Sequence, residues 1–128
     1  MSASVAIMML TAALAAEVPN GTIFQLQKNC EELAAEKFRR ESSNDEDRVG
    51  YRAHYNARLN KCFYADAYIS GTPKGVSTWV YLSDLQENRI YGGFHNSTNI
   101  GLFYCTVRDQ ECHSRTEWNE LARPYMED

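Results

Sequence analysis

Apolar residues near the start of the chain recur every three or four positions. Ile23, Leu26, Cys30, Leu33, Ala34 and Phe38 form one stripe, the signature of an amphipathic helix with a single buried face. "TIFQ" (Thr22 to Gln25) has the form of a capping box, in which the threonine hydroxyl accepts from the third helical N–H and the glutamine reaches back. The polar, turn-forming "SSNDEDRVG" ends the segment.

The period then changes to two. From Tyr51 to Ile69 the odd positions are mostly apolar (Tyr51, Ala53, Tyr55, Ala57, Leu59, Phe63, Ala65, Ala67, Ile69), which predicts strands. The run is too long for one strand, so "NARLN" is read as a turn or bulge, with a firmer strand from about Lys61 to Ile69. "SGTPKG" signals a turn, and "VSTWVYL" follows with β-branched and aromatic strand content. "SDLQEN" turns back into "RIYGGF", and "HNSTN" separates that from "IGLFYCTV". Gly92-Gly93 in a strand predicts a bend or a close backbone approach. "SRTE" (Ser114 to Glu117) is a second capping box. Trp118, Leu121, Ala122, Tyr125 and Met126 then repeat helically, with Pro124 expected to end the helix early.

The order predicts an α+β fold: an N-terminal amphipathic helix, an antiparallel sheet of four or five strands and a short C-terminal helix. Both helices are placed on one sheet face, giving two layers.

Four cysteines, Cys30, Cys62, Cys105 and Cys112, change the picture more than any other feature. No C-x-x-C occurs, which removes a thioredoxin-like or zinc-ribbon reading and leaves a disulfide-stabilised domain. Cys105 and Cys112 flank "TVRDQE" and face each other across a hairpin. Arg108-Asp109 is a poor type I′ pair, so a four-residue loop, Val107 to Gln110, is expected. That arrangement makes the cysteines a non-hydrogen-bonded pair with Cα atoms roughly 4.5 Å apart. Cys30 then pairs with Cys62. A conflict attends this pairing, because strict alternation puts Cys62 opposite Phe63, away from the face meant to meet the helix. A bulge near Lys61 would remove it, and so would pairing Cys62 with Cys105 or Cys112.

With 128 residues, 44% of them hydrophobic and 23% charged, the chain fits one ordered domain. The formal charge of -4 with scattered cations offers no basic face, which argues against nucleic acid as a partner. "SVAIMMLTAALAA" is an uncharged apolar run, too short to span a bilayer and suited to a signal-peptide core. Ala13-Leu14-Ala15 supplies a cleavage pattern, so residues 1–16 are read as a signal peptide and 17–128 as a single domain. No Lys or Arg precedes the run, and a short buried helix is the competing reading. Export agrees with an even cysteine count.

Candidate chemistry is sparse. Cys62 beside His54 could form a nucleophile–base pair, but a disulfide would consume the thiolate. His54, His95 and His113 lack metal-site spacing. Asp45, Glu46 and Asp47 read as a solvated loop, and Asp66 as a solvent-facing strand position. An acid–base role for Asp66 with His54 defines a rival reading as a small hydrolase. No glycine-rich phosphate loop is present, and Asn96-Ser97-Thr98 fits a glycosylation acceptor. No cofactor is implied. Aromatic and amide residues on a rigid sheet suit contact with a protein or glycan, and the expected surface is His54, Tyr55, Asn56, Tyr64 and Tyr68.

"YRAHYNARLNKCF", with a later strand cysteine and the closing "WNELARPYME", resembles a group of small exported bacterial proteins of uncharacterised function. Its specific core is H-Y-N-x-x-x-N-K-C. The resemblance implies a bacterial envelope or secreted setting and no particular catalytic or binding residues. The resulting expectation is a monomeric periplasmic or secreted binding module, without a transmembrane anchor, acting as an inhibitor or accessory protein of an envelope partner.

Overall fold

The computed structural model describes residues 20–42 and 47–127. The expected signal segment, residues 1–16, lies outside them, as do Asp45 and Glu46. Helix α1 (Asn20–Ser42) is followed by β1 (Arg48–Asn56), β2 (Lys61–Thr72), β3 (Gly75–Asp84), β4 (Arg89–Ser97), β5 (Gly101–Val107), β6 (Gln110–Glu111) and helix α2 (Arg115–Met126). The strands form one antiparallel sheet in sequential order, β1 to β6. The α+β class is as the sequence predicts, with the two-residue β6 as an additional strand.

The placement of the helices differs from the expected two layers. Cross-strand partners share a face, so Tyr55 with Cys62, Ala53 with Tyr64 and Tyr51 with Asp66 project to one side. His54 with Phe63, Arg52 with Ala65 and Gly50 with Ala67 project to the other. Helix α1 packs on the first side, where Cys30, Tyr55 and Cys62 form a small core with Leu26, Ala53 and Leu85. Helix α2 packs on the second, where Trp118, Ala122 and Met126 join Phe63, Val80, Leu82, Phe94 and Val107 in the main core. The fold therefore has three layers, and Cys62 faces a helix without the bulge near Lys61 that alternation pointed to; the β1–β2 register shifts only between Arg48 and Gly50. Cys30 is bonded to Cys62 and Cys105 to Cys112. No described helix is long and apolar enough to cross a membrane.

Local chemistry explains the ends of these elements. Helix α1 begins before Thr22, so "TIFQ" lies within it, and the Gln25 amide donates instead to Asn29 Oδ1 at 2.9 Å. Leu33, expected on the buried stripe, is 49% exposed. Gln27 docks the helix onto the β1 edge: Tyr55 N–H donates to Gln27 Oε1 at 2.7 Å, and Gln27 Nε2 donates to the Ala53 carbonyl at 3.4 Å. Ser114 caps α2 by accepting from Glu117 N–H at 3.1 Å, while Glu117 accepts from His113 N–H at 2.7 Å. Pro124 does not end α2 early, because the helix runs on to Met126.

The Cys105–Cys112 register is as expected, but the loop is shorter. Val107 pairs with Gln110, leaving only Arg108-Asp109 between the strands. Cys112 N–H donates to the Cys105 carbonyl at 2.9 Å, so the cysteines occupy a hydrogen-bonded site with Cα atoms 5.0 Å apart. Arg108 takes a left-handed φ of 56° at the first loop position. Its guanidinium lies 4.4 Å from the Tyr91 ring centroid and its N–H donates to the Tyr91 carbonyl at 2.7 Å. These contacts offset the unfavourable conformation. At Gly92 a Cβ would lie 2.7 Å from the Thr106 carbonyl oxygen, which is the close approach the glycine pair predicts.

Asn56 organises the "NARLN" turn. Its buried amide donates to the carbonyls of Pro124 (2.9 Å) and Tyr125 (3.3 Å), and its oxygen accepts from Leu59 N–H at 2.9 Å. One side chain thus satisfies the turn and two carbonyls in the last turn of α2. Asn56→Ala strands these groups in the interior, and a loss of roughly 2–4 kcal/mol is expected in urea unfolding. An Asn56→Ala midpoint equal to that of the wild type would refute this account.

Candidate binding surface

The structure disperses most of the residues expected at the surface. Tyr55, Asn56 and Tyr64 are buried, Tyr55 and Tyr64 on the α1 side and Asn56 against α2. They hold the fold together and present no contact area. His54 faces the α2 side and Tyr68 the α1 side, so the five residues share no single surface.

Asp66 is not solvent-facing. It is 5% exposed on the side that α1 covers, opposite to His54, so the pair cannot meet in one pocket. Arg48 Nη1 lies 2.5 Å from Asp66 Oδ2 and 2.6 Å from Glu41 Oε2, and its guanidinium stands 4.2 Å from the Tyr68 ring centroid. Burial pushes the Asp66 carboxyl up to about 6; the Arg48 guanidinium opposes that rise, and the negative Glu41 adds to it. The short bridge alone would lower the value, and the dry setting outweighs it. This cluster is a structural tie between α1, β1 and β2.

The three histidines are also apart. His54 faces α2, His113 precedes that helix, and His95 stands on the opposite sheet face. Among the described residues no cluster of His, Cys, Asp or Glu could hold a metal ion. Asn96, the glycosylation candidate, pairs within β4 and is half-buried rather than placed in a loop.

A different surface emerges on the α1 side. Helix α1 packs chiefly on β1 and β2, and among the described residues no helix lies over β3 to β5 on this side. Trp79, His95 and Phe103, from three successive strands, stack with ring centroids 4.5 and 4.4 Å apart. Tyr104 meets His95 edge-on at 5.7 Å, and its hydroxyl shares a 2.8 Å hydrogen bond with that of Tyr81. Phe103 is 50%, Tyr104 37% and Ile90 67% exposed. Phe103 reaches the stack because the β4–β5 register shifts between His95 and Asn96.

The same region carries an open sheet edge. β6 pairs only with Thr106 and Val107, so among the described residues Gly101 to Tyr104 have a strand neighbour on one side alone. From Ile90 to Val107 the sequence contains no Asp, Glu, Lys or Arg. Natural sheet edges are commonly blunted by charge or covered. The β1 edge follows that rule through Gln27, and the β5 edge does not.

Sequence reasoning identified aromatic residues on a sheet as the binding signal but placed them on β1 and β2. The reason is geometric: with both helices on one face, the even positions of β2 would lie open, whereas α1 covers them. The signal that pointed to the uncovered β3–β5 face was the long uncharged stretch that contains "LFY". No protein-family model, curated protein or solved structure matches the chain.

Proposed function

We propose that the protein is a non-enzymatic, monomeric binding module that engages a protein partner through the β3–β5 face and the open β5 edge. The observation that carries this reading is the exposed, uncharged aromatic patch around Phe103 and Tyr104, beside a strand edge that no other described residue pairs. Exposed aromatic clusters that a protein leaves uncovered mark interaction sites. A polypeptide is favoured over a glycan because the Trp79 and His95 rings are stacked within the ladder, which removes the open ring faces a sugar would use. A strand edge also offers backbone hydrogen bonds, which an extended peptide matches.

Two disulfides suggest an oxidising, extracytoplasmic environment. Within that setting a periplasmic or secreted location is the reading adopted, supported by the apolar N-terminal run and the resemblance to exported bacterial proteins. An inhibitor or accessory protein of an envelope partner fits these features.

The test is affinity capture from envelope extract with the wild type and the Phe103→Ser/Tyr104→Ser double variant. One stoichiometric protein partner is expected with the wild type. Its affinity should fall roughly 30-fold or more in the double variant, the effect of losing an aromatic hot spot. Retention of the partner by the double variant removes this surface from the reading. Capture of polysaccharide instead of protein replaces the partner class with a glycan.

A further inference from the structure

A second candidate site lies on the opposite sheet face, along α2. A groove of about 430 Å³ opens between this helix and β1 to β3. Its floor is apolar: Ala65, Ala67 and Val80 from the sheet meet Trp118, Ala122 and Met126 from the helix. The small residues Gly50, Ala65 and Ala67 leave this space unfilled, and a Cβ at Gly50 would meet nothing within 4 Å.

The rim of this apolar floor carries Arg52, Arg115 and Arg123, together with one acidic residue of α2's C-terminal end, Glu127. Arg123 is engaged by Glu120 at 2.7 Å and Glu127 at 3.3 Å. Arg52 and Arg115 have no carboxylate partner among the described residues, although the chain is acidic overall. Arg115 donates through Nε to Asn119 Oδ1 at 3.2 Å and lies over the Phe94 and Trp118 rings, with centroids 5.7 and 6.0 Å away. The residue as a whole is exposed, and the partial desolvation of its guanidinium against these rings lowers its pKa. It also occupies the first position of α2, where the helix dipole disfavours a cation. The Asn119 hydrogen bond and the two ring contacts hold this guanidinium at the groove, and its charge there has no counter-ion among the described residues.

We propose that the groove binds a small amphiphilic carboxylate, with its apolar body on the Ala65–Ala67–Trp118–Ala122 floor and its carboxylate held by Arg115 and Arg52. The volume falls within the range of small-molecule pockets, roughly 300–1,000 Å³. The planar fork of a guanidinium matches a carboxylate geometrically, and both arginines line the groove. Trp118 is 3% exposed and lines the groove, so it serves as a built-in reporter.

The experiment uses decanoate as the probe and the Trp79→Phe variant as the parent, so that emission reports Trp118 alone. Saturable quenching below the micellar range is expected, weakening as salt rises. Arg115→Met and Arg52→Met should each weaken decanoate binding about tenfold, the scale of one charge-assisted hydrogen bond. Gly50→Leu, which fills the groove from β1, should abolish the response while the far-ultraviolet circular dichroism stays that of the parent. Decanol, with the same chain and no charge, should bind at least about tenfold more weakly than decanoate. No saturable decanoate signal, equal binding of decanol, or unchanged affinity in the Arg52→Met/Arg115→Met double variant each overturns the proposal. The site lies on the face away from Phe103 and Tyr104, so neither result depends on the protein-partner reading.

Discussion

Replacing Arg48 by methionine is expected to destabilise the fold by about 3–5 kcal/mol near neutral pH, the cost of leaving a buried charge without its counter-ion. Arg48 bridges Asp66 and Glu41 through one nitrogen, with only 5% of its own side chain exposed. Methionine preserves much of the apolar packing on Tyr68 and removes the charge, so the loss reads the electrostatics. Urea unfolding followed at about pH 7.5 and about pH 5 separates this cause from lost packing.

Linkage fixes the direction of that pH effect. The Asp66 carboxyl sits at about 6 in the folded chain against 3.8 when unfolded, so the folded state binds the extra proton between those values. Its stabilising contribution is complete below 3.8 and is lost as pH rises through 6. Removing Arg48, which draws the value down, moves it further up and widens the window. The Arg48→Met deficit should therefore shrink on acidification toward pH 5, and Asp66→Asn in the same background should recover most of it at neutral pH. An equal deficit at both pH values would show that the buried carboxylate is not its source.

The second large effect concerns the Cys30–Cys62 bond. Helix α1 has 23 residues, yet only Cys30 and Ala34 of those whose side chains are described are buried. Phe24 is 72% exposed, and Ile23, Leu26 and Phe38 are only partly covered. The staple thus reinforces an apolar interface that is small for a helix of this length. The chain-entropy relation assigns about 3.7 kcal/mol to this loop and about 2.5 to the Cys105–Cys112 loop. Against a typical total of roughly 5–15 kcal/mol, the first is a large share.

The Cys30→Ala/Cys62→Ala variant should consequently lose α1 before it loses the sheet. In native-state hydrogen exchange, amides across the middle of α1 should approach unprotected rates while those of β2 and β3 remain slow. Uniform loss of protection across helix and sheet would mean that α1 and the main core unfold as one unit, contrary to the separate small core seen at Cys30, Tyr55 and Cys62.

The strands and both helices were legible in the sequence because their periods are local properties. The faces were not, and β2 shows why. Cys62, Phe63 and Tyr64 are consecutive and all buried. A strand covered on both faces reads as a continuous apolar run, and alternation then carries no information about which side a helix takes. The Cys62 conflict was the sequence's record of this arrangement. Asp66 misled for a related reason, since a carboxylate among alanines looks solvent-facing until its partner, Arg48 on the neighbouring strand, is known. The aromatic ladder needed the register of three strands and a shift at Phe103, neither of which residue type specifies. The short Arg108-Asp109 loop depended on Tyr91, far away in sequence.

The sequential strand order also shapes how this chain reaches its oxidised state. Every strand pairs with its immediate neighbour, so the sheet can zip up hairpin by hairpin with short loop closures throughout. Cys105 and Cys112 are seven residues apart within the last of these hairpins, whereas Cys30 and Cys62 are separated by 32. The nearer thiols meet first by proximity, and once they are joined the remaining two have only each other. Correct connectivity then arises from the order of encounter, and refolding from the reduced, denatured chain should proceed to the native pairing without a catalyst of disulfide exchange.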